Sequence, residues 1–389
     1  MTKIIDEIKT DIITQYNAFF IYGAGDYGKK IAEVFEFENT SDRITAFVVT
    51  DKKCNESGVL NKRVIEYDEL TEYRDVKIGI ILGFLSPDKK QTISLLESLK
   101  IDIDIYVPTS IAYERLSIKI NDIRILNNNR EIDSYYKKYL DRNELFKYIE
   151  IETVNRCNGV CEFCPVNANA VQREYKKMDR ALYMSIIRQL AELNYEGKVA
   201  LFSNNEPFLD ERIIEFAEYA RVHLPKAYIY LFTNGTLLTD ERYLSIMPYL
   251  NRMHIDSYVS NEKSEPEKVL HIKNLAKRYG YEDRMTYSLI PLDAIRSSRG
   301  GEAPNKKIEE PINALCRLPF IQMVIRPDGK VSLCCNDALG KITLGDITEK
   351  SIIDIWNGTE FHKVRTEMMV GRKTISLCKG CDYVDYREM

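Results

Sequence analysis

Cys157, Cys161 and Cys164 stand in the run Glu152-Thr-Val-Asn-Arg-Cys-Asn-Gly-Val-Cys-Glu-Phe-Cys-Pro165, a C-x3-C-x2-C loop directly after an apolar strand. Three thiolates cannot complete the four-cysteine ligation of a usual iron–sulfur cube, so one iron would stay open to a small molecule. That spacing points to chemistry rather than electron storage. Zinc is the alternative, because thiolates suit it. Structural zinc, however, wants four ligands, usually in C-x2-C pairs, and no histidine or fourth cysteine lies nearby in sequence.

A second set holds Cys316, Cys334, Cys335, Cys378 and Cys381, with Gly329 between the first two in a C-x12-G-x4-C pattern. Cys316, Cys334, Cys378 and Cys381 can saturate a cube, which leaves no iron for substrate; a four-cysteine zinc ribbon is the alternative. Cys335 either replaces Cys334 as ligand or is a buried thiol beside it. Cys54 stands alone in a polar loop and is expected to have no role.

The 389 residues suffice for two or three domains, and 44% hydrophobic with 29% charged residues is ordinary for a globular protein. A net charge of −4 gives no nucleic-acid footprint. No apolar run reaches membrane-helix length, and the N-terminus lacks a signal-peptide core, so a cytoplasmic location is expected, with no membrane partner. Thiols stay reduced there, which turns nine cysteines toward metal or cluster ligation.

The elements that must carry these residues alternate between strand and helix, so the fold class is α/β. Ala18–Tyr22, Ile44–Val49, Val76–Leu82 and Ile101–Val107 read as strands of a parallel sheet. Gly23-Ala-Gly-Asp-Tyr-Gly28 follows the first and opens a helix, as a dinucleotide fingerprint requires, with Asp51 near the ribose-binding position. Gly23, Gly25, Gly28 and Asp51 are therefore possible nucleotide ligands; equally, the glycines only make a tight turn. Residues 1–110 are assigned to a Rossmann-like domain, and 111–146 to a linker with a connecting helix that Tyr135, Tyr136 and Tyr139 pack. From Tyr148 the rhythm restarts, with strands at Tyr148–Glu152, Val199–Phe202, Tyr228–Phe232, Met253–Val259 and Thr286–Ile290. Helices are expected at Leu182–Leu193 and Ile213–Val222. A partial parallel barrel would bring the strand ends to one mouth.

The cysteine loop, with aromatic Phe163 before its last cysteine, resembles the radical S-adenosylmethionine (SAM) family. Asn204-Asn-Glu-Pro207 lies where that family has Gly-Gly-Glu-Pro, although both glycines are replaced; asparagine tolerates positive φ better than most residues. Thr233-Asn-Gly235 and Arg296-Ser-Ser-Arg-Gly-Gly-Glu302 resemble further family segments, and the second cysteine set resembles the SPASM/Twitch pattern. The resemblance implies a partial (β/α)6 barrel over 147–302 and a small Twitch-type cluster domain over 303–389. It implies a SAM-binding [4Fe–4S] cluster on Cys157, Cys161 and Cys164, and an auxiliary [4Fe–4S] cluster on Cys316, Cys334, Cys378 and Cys381. SAM would be contacted by Phe163, Asn205, Glu206, Asn234, Asp256, Ser257 and Arg299. Glu206 would meet its ammonium and Arg299 its carboxylate. An external donor such as flavodoxin or ferredoxin would supply the electron.

The N-terminal quarter resembles small Rossmann-like domains of sugar-modifying proteins. Together these resemblances imply hydrogen abstraction from a carbohydrate, cyclitol or nucleotide-sugar, followed by dehydrogenation or epimerisation, with the auxiliary cluster accepting an electron. A peptide maturase is the second enzyme reading, and a metal-stabilised binding scaffold the non-enzyme one.

Overall fold

The computed structural model describes residues 1–51, 58–85, 89–141, 144–169, 174–259 and 266–384; Cys54 lies outside them. The chain divides into two compact units, residues 1–127 and 128–389.

In the first unit, seven strands lie in the order β1-β7-β6-β2-β3-β5-β4. They are β1 (Thr2–Ile5), β2 (Ala18–Tyr22), β3 (Ile44–Val49), β4 (Gly58–Val59), β5 (Lys62–Glu66), β6 (Ile78–Leu82) and β7 (Ile103–Pro108). All pairings are parallel except the β4–β5 hairpin. β2 and β6 are buried at every residue, which explains their unbroken apolar runs: a parallel strand covered on both faces has no polar side. Alternation sends Phe19 and Ile21 to one face, against Ile31 and Phe35 of helix α1 (Asp26–Phe37). Phe20 and Tyr22 go to the other, against Leu96 of α2 (Lys89–Ser98). The central order 5-3-2-6-7 reverses direction between β2 and β6, the doubly wound arrangement.

The glycines of the β2–α1 turn have distinct duties. Gly23 has φ +105°, open to glycine and costly for others. A Cβ on Gly28 would lie 1.9 Å from the Gly23 carbonyl oxygen, so the helix start sits hard on the strand end. A Cβ on Gly25 would meet nothing within 4 Å. Asp26 puts a carboxylate in the first turn of α1, and Asp51 follows β3 at the surface.

Helix α3 (Ser110–Leu140) leads the chain into the second unit. That unit is built on one eight-stranded sheet in the order β12-β11-β10-β9-β8-β13-β14-β15. The strands are β8 (Tyr148–Ile151), β9 (Lys198–Ala200), β10 (Tyr228–Thr233), β11 (Arg252–Val259), β12 (Met285–Pro291), β13 (Gln322–Ile325), β14 (Lys330–Ser332) and β15 (Thr343–Asp346). Six are parallel, as a partial barrel requires. The sixth, β13, joins the free flank of β8 rather than following β12. A strand from the C-terminal segment thus continues the sheet of the core, and β14 and β15 extend it antiparallel.

Helices α4 (Arg180–Glu192), α5 (Ile213–His223), α6 (Asp240–Ile246) and α7 (Glu267–Tyr279) intervene between the strands. Asp179 caps α4 by accepting from the Ala181 N–H, and Thr239 caps α6 through the Arg242 N–H. Ile149, Ile151, Val199, Leu201, Ile229, Leu231, Met253 and Ile255 share one apolar core with residues of these helices. The alternate positions, among them Glu150, Phe232 and Asp256, are free to build a site. Among the described residues, no helix is long and apolar enough to cross a membrane.

Gly28→Ala should destabilise the first unit by about 1–3 kcal/mol, the usual cost of overpacking, or more because the clash is with backbone. Hydrogen exchange in the full chain is expected to show faster exchange at β2 and α1 amides; unchanged protection would contradict the contact.

Candidate active site

The cysteine loop leaves β8 and folds back on itself. A Cβ on Gly159 would lie 3.3 Å from the Cys157 sulfur and 3.8 Å from that of Cys161, so the loop turns between two thiols. Asn167, buried and missed by sequence reasoning, donates to the carbonyls of Cys161 (2.7 Å) and Cys164 (3.1 Å). Its place three residues after Cys164 was the only signal. The Glu206 N–H donates to the Arg156 carbonyl at 2.9 Å, which ties the next strand-end loop to the cysteines.

That loop carries Ser203, Asn204, Asn205 and Glu206 after β9. Neither asparagine takes positive φ; they act through side chains instead. Asn204 Nδ2 donates to the Cys335 carbonyl (3.1 Å) and the Ser203 hydroxyl (3.2 Å), while its oxygen accepts from Arg299 Nη2. Asn205 accepts from the Ser203 N–H at 3.0 Å. Glu206 is almost fully buried. Its Oε1 accepts from the Phe208 N–H and the Thr233 hydroxyl, and its Oε2 accepts from the Asn234 N–H at 2.8 Å. Burial pushes its carboxyl up, against the pull of these donors. Oε2 keeps lone-pair capacity for one more donor, so a ligand ammonium can share an atom the protein already uses.

After β10, Asn234 donates to Asn158 at 2.8 Å, and Gly235 turns the chain at φ +73°. In β11, alternation separates the expected pair: Asp256 faces the cavity of the cysteine loop, while Ser257 faces a second, mainly apolar cavity toward α7. That second cavity also reaches the cysteine loop, at Asn158, Gly159 and Cys161, so the two residues approach the loop from opposite sides of the strand. After β12, Arg296 lies over the Phe163 ring at 5.6 Å, and Tyr258 packs on the same ring.

These strand ends enclose about 400 Å³, bordered by Cys157, Phe163, Cys164, Asn205, Glu206, Asn234, Asp256 and Arg299. Sequence reasoning missed the stacked wall of Phe202 and Phe232, 4.8 Å apart, and the contributions of Cys335, Asn336 and Tyr383. The last three arrive from the C-terminal segment, and nothing local announces the contact. Two buried donors on this wall, Asn205 Nδ2 and Arg299 Nε, have no hydrogen-bond partner among the described residues. A polar ligand such as SAM, with a carboxylate and ring acceptors, fits them. Arg299 also has φ +50°, a strained conformation for its type.

Burial pushes Cys157 up to about 11, with Glu206 and then Cys164 adding to it, and pushes Cys161 up to about 12, with the neighbouring thiols adding to it. Thiolates persist there only if cations neutralise them, which iron supplies. Among the described residues no three such donors meet around one ion-sized point; a cube spreads its thiolates wider than a single zinc ion does.

Cys316, Cys334, Cys378 and Cys381 form the second set, each raised by burial or by repulsion from others of the set where a shift is resolved. Cys335 borders the cavity, where Glu150 and Arg299 act on its thiol, whereas the thiol of Cys334 feels Cys316, Cys378 and Cys381 together. Arg372, 2% exposed, clamps the set by donating to the carbonyls of Ala314 (2.6 Å), Leu315 (3.4 Å), Cys381 (3.1 Å) and Tyr383 (2.7 Å). Among the described residues no carboxylate pairs with it, and a buried guanidinium wants an anion nearby. A cube with four thiolates carries net negative charge. Replacing Arg372 by Met should cut iron and sulfide by about half, by loss of one of two clusters; full iron content in the variant would remove the clamp from the second site.

Residues 151–289 match the family model described as radical SAM superfamily, and residues 316–382 match SPASM, an iron–sulfur cluster-binding domain. A S-adenosyl-L-methionine-dependent 2-deoxy-scyllo-inosamine dehydrogenase of Niallia circulans is 29% identical over 245 residues, which span 62% of this chain and 95% of that protein. The crystal structure of BtrN in complex with AdoMet and 2-DOIA superposes with a TM-score of 0.54 at 27% identity, over 62% of this chain and 94% of that one. The chain therefore carries a radical SAM domain followed by a C-terminal SPASM domain.

Proposed function

We propose that the enzyme oxidises a secondary alcohol of a cyclitol or related carbohydrate to a ketone, with Cys157, Cys161 and Cys164 holding the SAM-binding cluster and Cys316, Cys334, Cys378 and Cys381 the auxiliary one. The observation that carries this reading is that one cavity is walled by the first cysteine set and bordered by the chain segment that bears the second. Cys157 and Cys164 border it directly. Cys335, next to Cys334, borders it from the other set, and the loop bearing Arg299 is fastened to the Cys378–Cys381 knuckle. When bound, SAM and its reduced cluster supply a hydrogen-abstracting radical, and the auxiliary cluster supplies a one-electron acceptor.

The chain's own residues do the rest. Glu206 Oε2 and the unpartnered Asn205 Nδ2 hold the amino-acid end of SAM, while Phe163 and Tyr258 flank it. Phe202 and Phe232 give the substrate an apolar wall and exclude water. Arg299 offers its unpartnered Nε to the SAM carboxylate, and the Ser203–Asn204 loop offers polar contacts to substrate hydroxyl groups. The relative named as an inosamine dehydrogenase supports the substrate class. An external one-electron donor such as flavodoxin or ferredoxin is required, and a cytoplasmic setting suits oxygen-sensitive clusters.

Epimerisation is the second reading, and the Cys335 thiol on the cavity wall favours it, because a thiol can return a hydrogen atom to a carbon radical. Anaerobic turnover separates the two. With dithionite, SAM and 2-deoxy-scyllo-inosamine deuterated at its carbinol carbons, dehydrogenation gives a ketone and deuterium in 5′-deoxyadenosine. Epimerisation in D2O would instead give an inverted alcohol carrying solvent deuterium. Cys161→Ala should abolish 5′-deoxyadenosine formation and leave about half the iron; retained cleavage would defeat the assignment of the first loop.

A further inference from the structure

Glu150 lies in the middle of β8, a central strand, and is 8% exposed. Its Oε2 accepts from the Ser203 hydroxyl at 2.7 Å, and its Oε1 accepts from Gln322 Nε2 at 2.8 Å. Gln322, itself buried, accepts from the Cys335 N–H at 3.1 Å. Ser203 borders the reaction cavity, whereas Glu150 stands behind it. Among the described residues no cation forms an ion pair with Glu150. The groups that face it are Ser203 from the β9 loop, Gln322 from β13, Tyr230 from β10, Cys335, and Arg299, which acts at longer range. A carboxyl of this kind has no structural need to be ionised, since its two hydrogen bonds are neutral. Burial pushes it up to about 7, so it can change state at the pH of the cell.

An alcohol oxidised by hydrogen abstraction must lose three things. The C–H bond breaks homolytically and its hydrogen atom leaves with the SAM-derived radical. The carbon radical then has one electron too many for a carbonyl, and its hydroxyl one proton too many. The electron goes to the one-electron acceptor that the auxiliary cluster provides. The proton needs a base; the cavity also holds the carboxylates of Glu206, already engaged by three donors, and Asp256, on the strand two beyond Ser203's loop.

We propose that Glu150 is the proton acceptor of the oxidation, drawing the substrate's hydroxyl proton through the Ser203 hydroxyl as the carbonyl forms. Ser203 gives its proton to Glu150 Oε2 and takes the substrate's, so each oxygen ends with its complement of bonds. Glu150 acts through Ser203 and does not touch substrate; it is a positioning residue and proton reservoir. The inference rests on the dehydrogenase reading above.

Two measurements test it on the holoenzyme. Infrared difference spectroscopy between pH 6 and pH 8 needs no turnover: a protonated-carboxyl band should be lost as pH rises in the wild type and be absent from Glu150→Gln. In turnover with 2-deoxy-scyllo-inosamine, Glu150→Gln should lower ketone formed per 5′-deoxyadenosine about a hundredfold, the scale of a lost general base. The rise of ketone formation with pH through neutrality should vanish with it, while Glu150→Asp restores that limb at a reduced rate. The sign follows because only the ionised carboxylate can accept a proton. An unchanged product ratio and pH profile in Glu150→Gln, or no titrating carboxyl band assignable to Glu150, overturns the proposal. A wild-type enzyme that shows the band but yields 5′-deoxyadenosine without ketone overturns the reaction reading instead, and the relay with it.

Discussion

The contact between the loop Ser298–Gly301 and the knuckle Cys378–Cys381 governs everything else at the site. Ser298 donates its hydroxyl to the Gly380 carbonyl at 2.8 Å, and the Asp382 carboxylate accepts from the Ser298 N–H at 2.7 Å. A Cβ on Gly300 would lie 2.7 Å from the Leu377 side chain, and one on Gly380 would lie 3.3 Å from the Gly300 carbonyl oxygen, so glycines let the loop and the knuckle approach closely. Arg299, Gly300 and Gly301 all take positive φ to make the approach. The arginine bears most of that strain, of order 1–3 kcal/mol, and in return its side chain is delivered to Asn204, Cys335 and Glu150. Without this contact the second cysteine set would be an ordinary metal staple; with it, the residues next to that set, Cys335 and Tyr383 among them, border the reaction cavity.

Buried charge sets the second constraint. Thiols in both sets are raised, which is the cost of holding them from water without cations. The protein answers with buried guanidinium groups rather than carboxylate pairs. Arg372 spans four carbonyls around the second set. Arg365, fully buried, lies 3.9 Å over Trp356 and 3.8 Å over Tyr139 and donates to the Pro319 and Trp356 carbonyls. Trp356, buried, thus packs against a cation. Both arginines hold the chain path by many donors in one planar group, which lysine cannot do.

Sequence alone disclosed what local chemistry dictates. Parallel strands buried on both faces read as apolar runs, so β2, β3, β6 and the strands from β8 to β12 were legible almost to the residue. The cysteine spacings carried both metal sets, since ligand geometry constrains spacing. The pairing of β13 with β8 was hidden, because Gln322–Ile325 is short and its partner lies far back in the chain. Side-chain direction was hidden too. Asp256 and Ser257 look equivalent in sequence, yet a strand sends neighbours to opposite faces. Asn204 and Asn205 stand where flexible glycines are expected, yet the Asn204 amide bonds across loops, to Cys335 and Arg299. Glu150 drew no attention because a single glutamate in a strand signals nothing until Ser203 and Gln322 are placed beside it.

Gln322 links two reactive groups: its amide donates to Glu150 and accepts from the Cys335 N–H, so it ties a carboxylate behind the cavity to the backbone of a thiol-bearing residue on its wall. The two groups would send a substrate radical to different ends. A base that removes the hydroxyl proton makes the radical a strong reductant, and the nearby acceptor then completes a ketone. A thiol that returns a hydrogen atom restores an alcohol, with the option of inversion. Which end prevails depends on which face of the carbon each group sees and on how far the thiol is held back. Here Cys335 is anchored through its N–H, and its backbone carbonyl is taken by Asn204, which limits its reach. Glu150 meets the cavity through a hydroxyl that can rotate without moving the chain. The difference in freedom favours proton removal over hydrogen return, and so favours oxidation.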